Sequence, residues 1–206
     1  DDFQSQGFDG SSIKVTNAGV LQSYGTEIEI TYLPVENLLL GTAIGYTKAE
    51  YDEFDNGQCT IEDAFEEFYV VKGAQSGSPG ANAQCRRDLA GKPLDNAPEW
   101  TVSSYAQYDK TFTDSLVGIA RLEHSYIDSY FLDSDLDPNL ENDPVNLVNL
   151  RLTLTTPEND WELAIWARNL LGEEYFALGI DIPTIGGYAG IVAPDTSYGI
   201  TARLYF

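Results

Sequence analysis

Apolar side chains alternate with polar or small ones along most of this chain, and this period of two restricts the fold more than any other feature. Successive side chains of a strand point to opposite faces, so the pattern predicts strands with one apolar face. In the last strand the apolar face carries Tyr198, Ile200, Ala202, Leu204 and Phe206. The opposite face carries Gly199, Thr201, Arg203 and Tyr205. An apolar face of this kind covers a core in a soluble protein, or faces lipid in a membrane barrel.

Seven blocks of alternation predict seven strands, at residues 12–32, 38–51, 100–110, 116–131, 147–156, 161–176 and 196–206. The linkers between these strands are alternately short and long. Short turns are predicted at 34–37, 112–115 and 157–160, and long loops at 52–98, 132–146 and 178–195. We therefore predict antiparallel strands in up-and-down order, with the short turns together at one end of the sheet and the long loops at the other.

Strand length and loop sorting favour a membrane barrel over a soluble sandwich. Strands of ten or more residues exceed the usual length of about 5 to 6 residues. Outer-membrane barrels have short turns on one side and long loops on the other, with aromatic residues at both rims. We predict an all-β, up-and-down antiparallel transmembrane β-barrel. The alternative is a soluble antiparallel β-sandwich that binds a ligand through its loops, which explains the alternation but not the sorting of loop lengths.

Charge and motif content exclude several classes of function. The chain has 33 acidic and 11 basic residues and a net charge of −22, which argues against nucleic acid because phosphate binding requires clustered Lys and Arg. The acids concentrate in residues 52–67 and 133–143, where we expect solvated loops, with attraction of cations or cation-bridged surface sugars as the alternative. A membrane helix needs about 18 apolar residues in a row, and no stretch approaches that length. The sequence has one histidine and no catalytic motif, so we expect no enzyme and no cofactor.

Two cysteines, Cys59 and Cys85, fall within the longest predicted loop. An even pair in an oxidising compartment usually forms a disulfide. A zinc site is the competing interpretation, but the single histidine, His124, is far along the chain and nothing nearby completes a set of zinc ligands. The sequence therefore predicts a Cys59–Cys85 disulfide.

The same loop contains the pattern of a short helix. Thr60 is suited to cap a helix, and the acids Glu62 and Asp63 follow in its first turn. Apolar residues recur at helical spacing towards Gly73, namely Ile61, Phe65, Phe68 and Tyr69. A helix pinned by the disulfide would make the loop a lid rather than a tether.

An acidic stretch after the fourth predicted strand resembles the start of a calcium loop. Asp133, Asp135 and Asp137 alternate as the oxygen ligands of such a loop do. Pro138 replaces the glycine at which the loop must turn, and no Glu stands at the twelfth position, so a hand-type calcium site is excluded. We expect a solvated acidic turn and assign no metal site, with an adventitious surface cation as the alternative.

Four arginines fall on the polar faces of predicted strands, namely Arg121, Arg151, Arg168 and Arg203. Glu123 and Glu162 share those faces. An Arg on the lipid face would cost about 2 to 4 kcal/mol at mid-membrane, so we expect these side chains to face the barrel lumen. Their expected task is structural, through pairing with neighbouring carboxylates or with a plug. Steering of an anionic substrate is the alternative.

Several segments together resemble the TonB-dependent outer-membrane receptors. The segments are 15–19 (VTNAG), 25–29 (GTEIE), 40–46 (LGTAIGY) with Tyr51-Asp52, 89–100 (LAGKPLDNAPEW), Trp161 with 167–176 (ARNLLGEEYF), and the terminal Phe206. Thr26 and Leu171-Gly172 depart mildly from the usual pattern. The closing strand resembles the signal read by the barrel-assembly machinery, and its expected recognition residues are Tyr198, Ile200, Leu204 and Phe206.

The resemblance implies the function and the partners. Receptors of this kind have barrels of about 22 strands with a plugged lumen, so residues 1–206 would be the carboxy-terminal seven strands, without the plug. The implied location is the outer membrane of a Gram-negative bacterium. The implied activity is uptake of an iron chelate, a corrinoid or a glycan with energy supplied through the TonB complex. The long loops would contact this nutrient, with Asp181, Gly186, Gly187, Tyr188 and Gly190 as candidate ligand-binding residues.

Overall fold

The structure is a computed structural model that describes residues 4–8, 13–17, 19–66, 85–182 and 186–205. These residues are almost entirely extended. The strands are β1 Gln4–Phe8, β2 Ile13–Asn17, β3 Val20–Val35, β4 Leu38–Glu53, β5 Trp100–Thr113, β6 Leu116–Ile127, β7 Tyr130–Phe131, β8 Glu141–Asn142, β9 Val145–Thr155, β10 Trp161–Arg168, β11 Phe176–Ile182, β12 Gly187–Val192 and β13 Ser197–Leu204. One α-helix, α1, spans Ile61–Phe65, and a 3₁₀ turn spans Pro138–Leu140.

Seven strands form one antiparallel sheet in the order β13-β10-β9-β6-β5-β4-β3. Apart from three small hairpins outside the sheet, this is the order of the chain, so the predicted up-and-down topology is confirmed. The three short turns join β3 to β4, β5 to β6 and β9 to β10, and therefore lie at one end. Among the described strands, these seven form the one large sheet and the others form two-stranded hairpins, whereas a sandwich requires two packed sheets.

The first predicted strand is wrong as a continuous element. Ile13–Asn17 pairs with Gln4–Phe8 in a separate two-stranded sheet, and the strand of the main sheet begins at Val20. Gly19 has φ +30°, and a Cβ there would lie 2.3 Å from the carbonyl oxygen of Glu53. This close backbone approach, at a φ that favours glycine, marks the break between the two strands.

Other predicted strand ends extended too far. The 116–131 strand stops at Ile127, where the carboxylate of Asp128 accepts hydrogen bonds from Ser129 N at 3.0 Å and from the Tyr126 hydroxyl at 3.1 Å. The 161–176 strand stops at Arg168, because Asn169 takes φ +50° and begins a turn. The predicted 178–195 loop contains the hairpin β11–β12 instead of irregular chain. Phe206 lies outside the described residues.

One face of the sheet is apolar and uncovered. In the centre of this face Ile165 lies opposite both Leu152 and Ile200, and these side chains are 53%, 40% and 75% exposed. Further large exposed apolar residues of this face are Tyr24, Ile28, Ile30, Tyr32, Tyr108, Leu122, Leu154, Leu163, Tyr198 and Leu204. A contiguous apolar surface of this extent marks contact with a membrane or a partner. We call it the apolar face, and the opposite side the polar face.

The buried apolar cluster lies at the long-loop end rather than under the sheet. Tyr51, Phe54, Leu89 and Leu136 pack together there, and each is nearly inaccessible to solvent. The ring centroids of Tyr51 and Phe54 are 4.9 Å apart. These residues come from the end of β4, from the loop after it and from the segment before β8, so the cluster fixes the long loops to one another.

The helix and the disulfide predicted for the long loop are confirmed within the described residues. Cys59 and Cys85 are bonded to each other, and Thr60 caps α1 by accepting a hydrogen bond from Asp63 N at 3.2 Å. The predicted continuation through Phe68 and Tyr69 lies outside the described residues. None of the helices that the structure describes has the length and apolar content to cross a membrane.

Candidate functional site

The polar face carries a network of paired charges at its centre. Arg121 and Arg151 lie directly opposite each other on β6 and β9. The Arg121 Nε lies 2.7 Å from Glu123 Oε1, its Nη1 donates to Gln107 Oε1 at 3.1 Å, and its guanidinium stacks 4.1 Å from the Tyr105 ring centroid. Gln107 and Tyr105 belong to β5, so Arg121 is held towards β5 and away from Arg151 on β9.

A second part of the network centres on Glu162 of β10. The Oε1 atom of Glu162 forms a salt bridge with Arg151 Nη2, and Arg203 Nη1 lies 3.4 Å from the same oxygen. Arg168 has a different partner, since its guanidinium lies 5.2 Å from the ring centroid of Trp166. All four predicted arginines therefore occupy one face of the sheet, and each has an identified contact there.

Three long-loop elements converge at the other end, and we call them the loop cluster: α1, the segment 128–144 and the hairpin β11–β12. The Tyr188 hydroxyl donates to Glu62 Oε1 at 2.8 Å and to Asp137 Oδ2 at 3.0 Å. The side-chain amide of Asn139 donates to the same Glu62 oxygen and to the Tyr188 oxygen, each at 3.0 Å. Tyr188 and Asn139 thus join all three elements.

The acidic turn of segment 128–144 is buried, so the expected solvated turn is wrong. Asp135 and Asp137 are 1% and 0% exposed. Asp135 Oδ1 accepts from Asp137 N at 3.1 Å, and Asp137 Oδ1 accepts from Asn139 N at 2.8 Å. Leu136 takes φ +55° between them and inserts its side chain into the buried apolar cluster. The packing of Leu136 in this cluster places the two aspartates on either side of it in the protein interior.

The hairpin β11–β12 packs onto that turn. Asp181 lies opposite Tyr188 in the hairpin register, so the two side chains share one face, and Tyr188 reaches Asp137. Gly179 lies on the same face, where a Cβ would come within 2.9 Å of Leu132 and 3.0 Å of Leu140. Asp181 is therefore enclosed between the hairpin and the turn, and it is 0% exposed.

The remaining candidate ligand-binding residues also lie on this hairpin. Gly186 approaches α1 so closely that a Cβ there would lie 2.7 Å from the Phe65 ring. A Cβ on Gly190 would lie 2.8 Å from the Phe176 ring. Gly187 starts β12 next to Tyr188, which is 39% exposed. The hairpin is thus a fixed part of the loop cluster, and of these residues Tyr188 presents the most accessible side chain with polar chemistry.

Burial perturbs the acids of the loop cluster strongly. Burial, together with the charges of Asp181, Asp133 and Asp137, raises the pKa of Asp135 to about 8. Burial and the charges of Asp133 and Asp137 raise the pKa of Asp181 to about 7. Burial and its bonds to Glu62 and Asp137 raise the pKa of Tyr188, which keeps its hydroxyl a donor. A nearby positive charge would favour the ionised forms of Asp135 and Asp181 and so lower both pKa values.

Carboxylate oxygens at the centre of the cluster lack donors. Both Oδ atoms of Asp181 and Oδ2 of Asp135 are buried and accept no hydrogen bond from the described residues. Over the described ranges no three His, Cys, Asp or Glu side chains are already arranged as a metal site. The sequence pointed to Asp133, Asp135 and Asp137 through their alternation, but Glu62 and Asn139 carry no signal in the sequence because their roles depend on contacts between distant loops.

Comparison with known proteins agrees with this geometry. Residues 1–170 match the family described as "TonB dependent receptor-like, beta-barrel". The ferric yersiniabactin uptake receptor FyuA from Yersinia pestis has a similar fold, with a TM-score of 0.67 and 14% sequence identity over 94% of this chain. The chain spans 25% of the length of that receptor. No curated protein matches the sequence significantly. The family match covers most of the chain, and the chain therefore belongs to the TonB-dependent receptor β-barrel family.

Proposed function

We propose that this chain forms part of the wall of an outer-membrane receptor that takes up a scarce, large nutrient. Family membership and the likeness of the sheet to FyuA support this proposal. The observation that carries it is the contrast between the two faces of a single sheet. Ile165 and Ile200 lie side by side on the apolar face, whereas the adjacent residues Glu162 and Arg203 interact on the polar face.

Two pairs of polar residues on the apolar face are hydrogen-bonded across neighbouring strands, which suits contact with lipid. The hydroxyls of Thr42 and Ser104 lie 2.8 Å apart on neighbouring strands. His124 Nε2 lies within 3.2 Å of Asn146 Oδ1. These pairs satisfy groups that would otherwise be exposed to hydrocarbon without a partner, which supports assigning this face to the membrane.

The polar face is then the lumen wall, and Arg121, Arg151, Arg168 and Arg203 line the lumen. Three of these arginines contact carboxylates, Arg121 with Glu123 and both Arg151 and Arg203 with Glu162, and these contacts reduce the free positive charge on this wall. We therefore assign these arginines a structural role against a plug rather than the capture of an anionic nutrient. The rest of the barrel, the plug and the TonB complex complete the receptor, and the barrel-assembly machinery inserts it.

The loop cluster faces the outside in this arrangement and contributes to the entrance for the nutrient. Tyr188, with Gly187 and Gly190 beside it, is the proposed contact surface, and Asp181 and Gly186 position the hairpin from beneath. Among iron chelates, corrinoids and glycans, a ferric chelate is the first cargo to test, because FyuA is a ferric yersiniabactin uptake receptor.

The experiment is deletion of the gene that encodes the full-length protein in its host, followed by uptake assays with radiolabelled ferric chelates, a corrinoid and labelled oligosaccharides. We expect uptake of one nutrient class to be lost and to return with the wild-type gene. A protonophore should abolish the restored uptake, because transport draws energy from the inner membrane. Unchanged uptake of all three classes, or restored uptake that survives the protonophore, would contradict the proposal.

A further inference from the structure

Three buried carboxylate oxygens at the centre of the loop cluster accept no hydrogen bond from any described residue. They are both Oδ atoms of Asp181 and the Oδ2 atom of Asp135, on residues that are 0% and 1% exposed. A buried carboxylate needs hydrogen-bond donors or a positive charge, since it has left the water that would solvate it. The described residues around these oxygens supply no such donor.

The two aspartates come from separate loops that the structure holds together. Asp181 shares a hairpin face with Tyr188, whose hydroxyl donates to Asp137 Oδ2 at 3.0 Å. Asp137 N in turn donates to Asp135 Oδ1 at 3.1 Å. These contacts fix the loops that carry Asp135 and Asp181 relative to each other.

The described basic groups nearby do not pair with the carboxyl groups of Asp135 and Asp181. Arg87 is the basic residue in contact with the acidic turn, but it donates to the backbone oxygen of Asp135 at 3.2 Å and pairs with Asp63 at 3.4 Å. In the described parts of the chain, no salt bridge reaches Asp135 or Asp181. Within the described residues, the acids at the centre of the cluster thus have no cationic partner.

We propose that Asp135 and Asp181 anchor a calcium site that ties segment 128–144 to the hairpin β11–β12. Calcium takes 6 to 8 oxygen ligands from carboxylates, carbonyls, amides and water, in irregular geometry. The two aspartates supply two carboxylate ligands. The described residues contain no set of three acidic side chains arranged around one point, so backbone carbonyl oxygens and water supply the remaining ligands. The site differs from a hand-type loop because its ligands come from two loops, so Pro138 does not prevent it.

Calcium at this position would also order the third element of the cluster. Tyr188 joins the hairpin to Glu62 of α1, and Asn139 joins the acidic turn to the same glutamate. Fixing Asp181 against Asp135 therefore holds the helix as well. The proposed site is a device for ordering the loops, and it does not depend on which nutrient the receptor takes up.

Hydrogen exchange of the full-length receptor in detergent tests the inference. Peptides covering residues 130–142 and 176–192 are followed with a chelator, with about 1 mM Ca²⁺ and with about 1 mM Mg²⁺, in the range of extracellular calcium sites. We expect calcium to slow exchange in both peptides roughly tenfold or more, and magnesium to have little effect because it demands regular octahedral geometry.

The variants Asp135→Asn and Asp181→Asn should lose the calcium response. In chelator they should exchange no faster than the wild type, because each replaces a buried carboxyl group that lacks a donor. This separates a lost ligand from a misfolded loop. Asp143→Asn is the matched control, since Asp143 is exposed in the same segment, and it should respond as the wild type does. No protection by calcium, equal protection by magnesium, or an undiminished response in Asp181→Asn would overturn the proposal.

Discussion

Arg121 and Arg151 lie directly opposite each other on neighbouring strands, yet their guanidinium groups turn to different carboxylates. Like charges in opposite positions of an antiparallel pair destabilise it. Glu123 holds the first arginine, and Glu162 holds the second together with Arg203. The sheet accommodates these neighbouring arginines because Glu123 pairs with Arg121, and Glu162 pairs with both Arg151 and Arg203.

Replacing Glu162 should therefore lower the stability of the folded receptor more than replacing Glu123. Glu162→Gln leaves Arg151 and Arg203 without their shared carboxylate, while Glu123→Gln affects Arg121 alone, which keeps Gln107 and Tyr105. We expect Glu162→Gln to lower the free energy of unfolding by about 1 kcal/mol and Glu123→Gln to lower it less, since these ion pairs are only partly buried. Heat-modifiable mobility of the full-length receptor measures both. A larger effect of Glu123→Gln would contradict the network as described.

The disulfide should stabilise the loop without stabilising the sheet. Cys59 and Cys85 are 26 residues apart in sequence, and closing such a loop is worth roughly 3 to 4 kcal/mol in the chain-entropy model. Replacing both with Ser should accelerate proteolysis within residues 59–85 and leave the thermal transition of the barrel unchanged. Mass spectrometry of the unreduced protein should find no free thiol. Two free thiols, or a barrel transition that falls with the loop, would refute this.

The main sheet could be predicted because its signal is local. A period of two over ten or more residues identifies a strand, and the sorting of linkers gives the topology. Two of the errors fall where one residue ends a strand through a side-chain contact, as Asp128 and Asn169 do. Alternation alone does not reveal such an interruption, because the apolar pattern resumes shortly afterwards.

The candidate site was only partly predictable. A run of acids is usually solvated, and nothing within residues 133–143 indicates that Asp135 and Asp137 are buried. Their burial depends on Leu136 joining a cluster with Tyr51 and Leu89, and on a hairpin about forty residues further along the chain. Contacts between loops that are distant in sequence leave no periodic signal.

We expect β13 and Phe206 to carry the assembly signal. Deletion of Phe206 from the full-length receptor should impair assembly by weakening recognition, and Leu204→Asp should do the same by placing a charge on the apolar face. Arg203→Gln is the matched control, because its side chain lies on the polar face, and its effect should be milder. The measurement is the folded fraction in outer-membrane preparations, by heat-modifiable mobility. Normal assembly without Phe206, together with failure of Arg203→Gln, would contradict the assignment.

The most direct test of the account is the environment of each face in the full-length receptor in lipid bilayers. Nitroxide labels are placed singly at Leu152, Ile165 and Ile200, and at the adjacent positions Arg151, Trp166 and Thr201. The two native cysteines are bonded to each other and do not react with the label. The account predicts high collision rates with oxygen and low rates with a water-soluble nickel chelate at the first three positions, and low oxygen collision rates at their neighbours. Equal oxygen access at both sets, or the reverse pattern, would contradict a barrel wall with this apolar face in the membrane.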